Sequence, residues 1–220
     1  ALLVGRLAGK GGILCLQVPP YFEQCLKPLF AMLDKIHVPI EQMVPSHVNQ
    51  TDGYMADAVT WGKRGGWVDV GANYRPDNHY ARSTQPAEAV TSLIEAGVPM
   101  NKILISSDGN GAPPKEEKGE AVPTRANYGH VGSLHMVWLQ LIQQGRLKPE
   151  EALQLVTSNV ATAYHLKGKG RVDVGMDADL IVFDEGWNID SVIARGQVMV
   201  EEREIMVRGM FEKTILEGLA

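Results

Sequence analysis

An apolar run, Lys102-Ile-Leu-Ile-Ser-Ser-Asp-Gly-Asn-Gly111, stops at an aspartate followed by a glycine turn. It predicts a buried strand that delivers a carboxylate to an open loop. In a parallel barrel the chemistry sits where strands end, so position alone makes Asp108 a catalytic residue; the plainer reading is a turn aspartate bonded to its own backbone. Met43-Val-Pro-Ser-His-Val48 repeats the plan with an imidazole, His47, at the strand's exit. In a barrel the two would open on one mouth. A neutral imidazole and a carboxylate are both ligands for zinc or a similar borderline metal, and a carboxylate so placed can also carry protons. For His47 alone, a satisfied loop or core histidine is the plainer reading.

The elements that must position these groups follow from the rhythm of the first 165 residues, where short apolar runs alternate with longer helical stretches as in repeated βα units. Strands are expected at Gly12–Val18, Met43–Val48, Trp67–Ala72 and Lys102–Ser107. Helices are expected near Tyr21–Ile36, where Leu26, Leu29, Phe30 and Leu33 fall at helical spacing, and at Asp52–Lys63, Pro86–Ala96, Gly129–Gln144 and Lys148–Val156. Pro149 suits the first turn of the last of these, where a missing amide donor does no harm. Gly109–Tyr128 is too long for a plain connection and follows Asp108 directly, so it is expected to act as a lid; its charge run Lys115–Glu120 also fits a solvated insertion. After His165 the chain becomes glycine-punctuated, and the alternation of Val198 and Val200, then Ile205 and Val207, predicts half-buried antiparallel strands.

A net charge of −5 with scattered cations argues against a nucleic-acid surface. No apolar run is long enough to span a bilayer and no leader is apparent, so a soluble cytoplasmic protein is expected. Cys15 and Cys25 have neither a zinc-pair spacing nor a disulfide framework and are expected as reduced thiols. His130, in Tyr-Gly-His-Val-Gly, suits a backbone-binding loop role; His37 and His165 suit the surface or a subdomain junction. His79 and His135 have no firm assignment. Trp61, Trp67, Trp138 and Trp187 are expected as packing anchors.

Four segments then carry a resemblance: Pro45-Ser-His-Val-Asn-Gln50, Leu104-Ile-Ser-Ser-Asp-Gly-Asn-Gly111, Thr157-Ser-Asn-Val-Ala161 and Gly170-Arg-Val-Asp-Val-Gly-Met-Asp-Ala-Asp-Leu-Ile-Val182. Together they resemble the C-terminal half of the amidohydrolase superfamily and, within it, the isoaspartyl (β-aspartyl) dipeptidases. The last segment is specific to the superfamily; the first two point to the dipeptidases. The resemblance implies the second half of a TIM-like (β/α)8 barrel over residues 1–165, a small β subdomain over 166–220, and a binuclear zinc site acting on a small dipeptide. It also implies a homo-oligomer. His47 matches the metal-binding histidine of the sixth strand. Asp108 matches the eighth-strand aspartate that binds metal and moves the proton from attacking hydroxide to leaving amine.

The chain departs from that pattern at several places. In the family the first-strand His-x-His pair and the bridging fourth-strand lysine or glutamate lie upstream, and this chain begins too late to include them; the fifth-strand histidine is expected near Val18, where no histidine stands. At the substrate-binding positions, Gln50 stands where an arginine would grip the substrate carboxylate, and Ala112 stands where a serine would bind substrate. Three functions stay open: a metal-dependent isoaspartyl dipeptidase incomplete at its N-terminus, an inactive remnant serving folding or assembly, and an amidohydrolase of dihydroorotase-like or N-acyl amino-acid specificity.

Overall fold

The computed structural model describes residues 2–9, 11–17, 26–35, 38–76, 82–109, 115–117, 120–122 and 129–209. The chain divides into two compact units, Ala1–Leu166 and Lys167–Ala220.

The first unit is built on parallel strands. β1 (Leu14–Gln17) pairs with β2 (Met43–Ser46), Leu14 opposite Met43, and β3 (Val68–Gly71) pairs with β4 (Ile103–Ser106), Val68 opposite Ile103. β2 lies beside β3, and the exit of β2 is bonded to β3 through the His47 amide and the Asn49 side chain. Strands covered on both faces read as continuous apolar runs. Accordingly Val44, Val68, Val70, Ile103, Leu104 and Ile105 are all 3% exposed or less. Each such side chain contributes about 1.5–3 kcal/mol on burial. β1 is the partly exposed edge.

Among the described residues the strands are followed by α2 (Lys27–Leu33), α3 (Asp52–Lys63), α4 (Pro86–Glu95) and α5 (Ser133–Gln143). This is the expected α/β plan of consecutive βα units. α3 keeps its expected limits because its start is defined chemically: the Thr51 hydroxyl accepts from the Tyr54 amide at 3.2 Å. Elsewhere the strands are shorter than the apolar runs, because flanking residues such as Trp67 and Lys102 precede the first ladder pair. α6 (Pro149–Gln154) places its proline in the first turn, as expected, and Glu151 accepts from the Lys148 amide at 3.0 Å. Two short helices escape the periodicity, α1 (Leu2–Leu7) and α7 (Ser158–Ala163). α7 is fixed by a polar anchor: the buried Asn159 amide donates to the carbonyls of Met100 and Ile103 at 3.0 and 2.9 Å.

The expected lid falls largely outside the described residues. Within it, β5 (Lys115–Glu117) and β6 (Glu120–Val122) pair antiparallel. The second unit is a sheet of order β10-β9-β8-β7, from β7 (Leu180–Phe183), β8 (Ile189–Ala194), β9 (Gln197–Glu201) and β10 (Glu204–Ile205). Every pairing in it is antiparallel. No helix of the described residues is long and apolar enough to cross a membrane.

Candidate active site

His47 and Asp108 leave β2 and β4 in the left-handed region, at φ 56° and 51°. Histidine and aspartate are among the few non-glycine residues that enter it, at a cost of about 1–2 kcal/mol each. Surrounding bonds hold His47 there. Directly after it, Asn49 is fully buried; its side chain accepts from the Gly71 amide at 2.8 Å and donates to the carbonyls of Gly71, Tyr74 and Thr84 at 3.1, 2.9 and 3.1 Å. One amide thus ties the exit of β2 to the exit of β3 and to the segment beyond it. On the other side Asn73 donates to the Ser107 and His130 carbonyls, tying the exit of β3 to that of β4.

Tyr74 joins the two expected residues. Its ring stacks on the His47 imidazole with centroids 4.6 Å apart, and its hydroxyl donates to Asp108 Oδ2 at 3.2 Å. Gly71 leaves room for this, since a Cβ there would lie 2.5 Å from Tyr74 Cδ2 and 3.1 Å from His47 Cβ. His47 and Asp108 therefore do face one mouth.

Beneath them lies Asp69, in the middle of β3 and 3% exposed. Its Oδ2 accepts from the Ser106 hydroxyl at 2.8 Å and the His47 amide at 3.3 Å, and lies 3.9 Å from His47 Nε2. Burial pushes the Asp69 carboxyl up to about 7; the negative Asp108 adds to the rise, and the bonds from Ser106 and His47 oppose it. Burial likewise holds the His47 imidazole below the usual histidine range, against the pull of Asp108. The site thus favours a neutral imidazole, able to offer a lone pair.

Zinc takes three or four protein ligands. Among the described residues no group of three or more His, Cys, Asp or Glu side chains could hold a metal ion. Asp69, the nearest third donor, already spends Oδ2 on Ser106 and His47. The described residues by themselves do not fit a zinc centre.

Of the expected substrate-binding residues, Gln50 is buried in the turn Val48–Gln50 beside His47, its backbone N–H donating to the His47 carbonyl at 3.3 Å. Ala112 lies outside the described residues, as do Val18, Cys25, His37 and His79. His130 has a loop role: its Nδ1 accepts from the Gly132 amide at 3.1 Å. Trp61, Trp67 and Trp138 are packing anchors, at 0%, 6% and 3% exposed. Trp187 is not; it stands on the turn between β7 and β8, 39% exposed, edge-on to Phe183. Cys15 is a free, exposed thiol bonded to the Tyr164 hydroxyl at 3.3 Å. Asp69, Asn49, Asn73 and Tyr74 were not singled out from sequence. For Asp69 a signal existed, an acid flanked by valines inside an apolar strand, where an unpaired charge would be costly.

A model of the Amidohydrolase family matches residues 8–207. An allantoinase from Rubrobacter xylanophilus is 33% identical over 104 residues, 46% of this chain and 22% of that protein. Adenine deaminase 1 of Carboxydothermus hydrogenoformans is 26% identical over 125 residues, 55% of this chain and 18% of that protein. Among solved structures, the chain is similar to a beta-aspartyl dipeptidase from Fervidobacterium islandicum AW-1 in complex with beta-Asp-Leu. Identity is 26% and the TM-score 0.82, over 94% of this chain and 52% of that one. The chain thus spans about half the length of that structure and about a fifth of each curated relative.

Proposed function

The chain belongs to the amidohydrolase family, and we propose that it supplies the His47–Asp108 half of a hydrolase acting on the isopeptide bond of β-aspartyl dipeptides. The observation that supports this is the convergence of His47 and Asp108 on one mouth through Tyr74. The similarity to the dipeptidase over 94% of the chain directs the choice of substrate.

In this reading Asp108 takes a proton from the water that attacks the amide carbonyl and returns it to the departing amine, so both fragments leave with their protons balanced. The Tyr74 hydroxyl orients that carboxylate. Zinc is the metal we propose for the complete site. It needs ligands beyond His47 and Asp108.

A second reading, a cyclic-amide substrate, is favoured by the 33% identity to an allantoinase and by Gln50, which offers no cation to a substrate carboxylate. The test is zinc titration and turnover of beta-Asp-Leu and allantoin, with the chain alone and mixed with a separately made first half of the Fervidobacterium dipeptidase. Alone, the chain is expected to bind zinc weakly and turn over neither substrate. The mixture is expected to cleave beta-Asp-Leu and to lose that activity with Asp108→Asn. Tight zinc with turnover by the chain alone would refute the half-site reading, and allantoin cleavage in its place would move the substrate class. Gln50→Arg is expected to raise catalytic efficiency on beta-Asp-Leu roughly tenfold to a hundredfold, from about 1.5–3 kcal/mol of charge-assisted bonding. No gain would remove Gln50 from the substrate site.

A further inference from the structure

A second concavity lies at the opposite end of the strands. Its volume is about 430 Å³, and its lining includes Arg6, Glu41, Gln42, Trp67, Lys102 and His165. Gln42 immediately precedes β2, Trp67 precedes β3 and Lys102 precedes β4, whereas His47 and Asp108 follow the ends of β2 and β4. Strands of this length hold the two ends roughly 13 Å apart. The cleft is therefore separate from the candidate active site.

Its chemistry is mixed in sign. Arg6 and Lys102 are cations and Glu41 is an anion, all facing one space. Lys102 Nζ lies 4.5 Å from the centroid of the Trp67 ring, so the ammonium is held over an aromatic face that is itself 6% exposed. The Gln42 side chain, also buried, donates to the Gly11 carbonyl at 3.3 Å and fixes the floor. Gly11 closes the wall: a Cβ there would lie 2.3 Å from His165 Cδ2, so only glycine lets the imidazole pack against the chain. The volume falls near the small end of ligand pockets, which run about 300–1,000 Å³.

A plain anion would leave Glu41 opposed, and a plain amine would leave Arg6 and Lys102 opposed. A zwitterion satisfies both signs at once, and Pro39 offers an apolar surface for a side chain. We propose that this cleft binds a free α-amino acid with an apolar side chain, its carboxylate on Arg6 and Lys102 and its ammonium on Glu41. The proposal does not depend on which amide the opposite end hydrolyses.

The experiment is calorimetric titration of the full chain with L-leucine, beside isovalerate and isoamylamine, which each carry one of its charges. Saturable one-to-one binding of leucine is expected, at least tenfold tighter than either analogue. Lys102→Ala and Glu41→Gln, at positions where neither side chain is buried in the core, should each weaken it tenfold or more with the circular dichroism spectrum unchanged. Isovalerate binding as tightly as leucine would overturn the proposal in favour of a simple anion site. Absent leucine binding, or binding unmoved by both substitutions, would overturn it outright.

Discussion

At the residue scale the site is governed by a buried acid that was not chosen from sequence. With its folded pKa near 7 against 3.8 unfolded, Asp69 binds its proton more tightly in the native chain. Stability therefore falls as pH rises from about 4 to about 7, and the full penalty stands above 7, on the order of 4 kcal/mol. In chelator-treated protein, Asp69→Asn should gain on the parent chain across that window while keeping an acceptor for Ser106. The check is the difference in Tm between the two from pH 5 to pH 8; a constant difference would refute the buried-acid account. Asn49→Ala should cost about 3 kcal/mol in urea unfolding, because it strands the Gly71 amide and several carbonyls without water. The positions of His47 and Asp108 at strand exits were legible because both follow apolar runs. Tyr74 and Asn49 were not, because their partners are 34 and 22 residues away and no local pattern announces them.

At the scale of elements, the strand exits are crowded enough for single methyl groups to report on them. A Cβ at Gly129 would lie 2.1 Å from the Asp108 carbonyl oxygen, which is backbone and cannot swing away. At Gly71 the nearest atom belongs to the Tyr74 ring, which can. Gly129→Ala should therefore destabilise more than Gly71→Ala, for which about 1–3 kcal/mol is typical. Gly71→Ala should instead unstack Tyr74 from His47, seen as a shift of the His47 ring resonances. Equal losses of stability, or an unmoved ring signal, would count against this geometry. Long amphipathic elements such as α3 were readable from periodicity and a capping threonine. α7, only six residues long, has too little period to read and exists because Asn159 bonds two carbonyls before and within β4.

At the scale of the whole molecule, the two units differ in how much core they own. Among the described residues the buried apolar ones lie in Ala1–Leu166, whereas in the second unit Val172 and Val174 are 81% and 100% exposed. Small units with little core are marginal. Amides of β7–β9 should exchange with deuterium sooner than those of β2–β4, and matching protection would show the units to be equally stable. A change in composition is legible in the sequence after His165; the thinness of the second core is not, because alternation says which face is apolar and not what covers it. One last feature bears on how such a molecule changes over time. Gly109 and Gly129 pair as a lone parallel bridge, so the stretch between them starts and ends at one point. Once ends are joined, doubling a loop costs only about 0.6 kcal/mol. Changes of length beside Asp108 are therefore expected to cost the strands little, because the bridge fixes both ends whatever number of residues separates them.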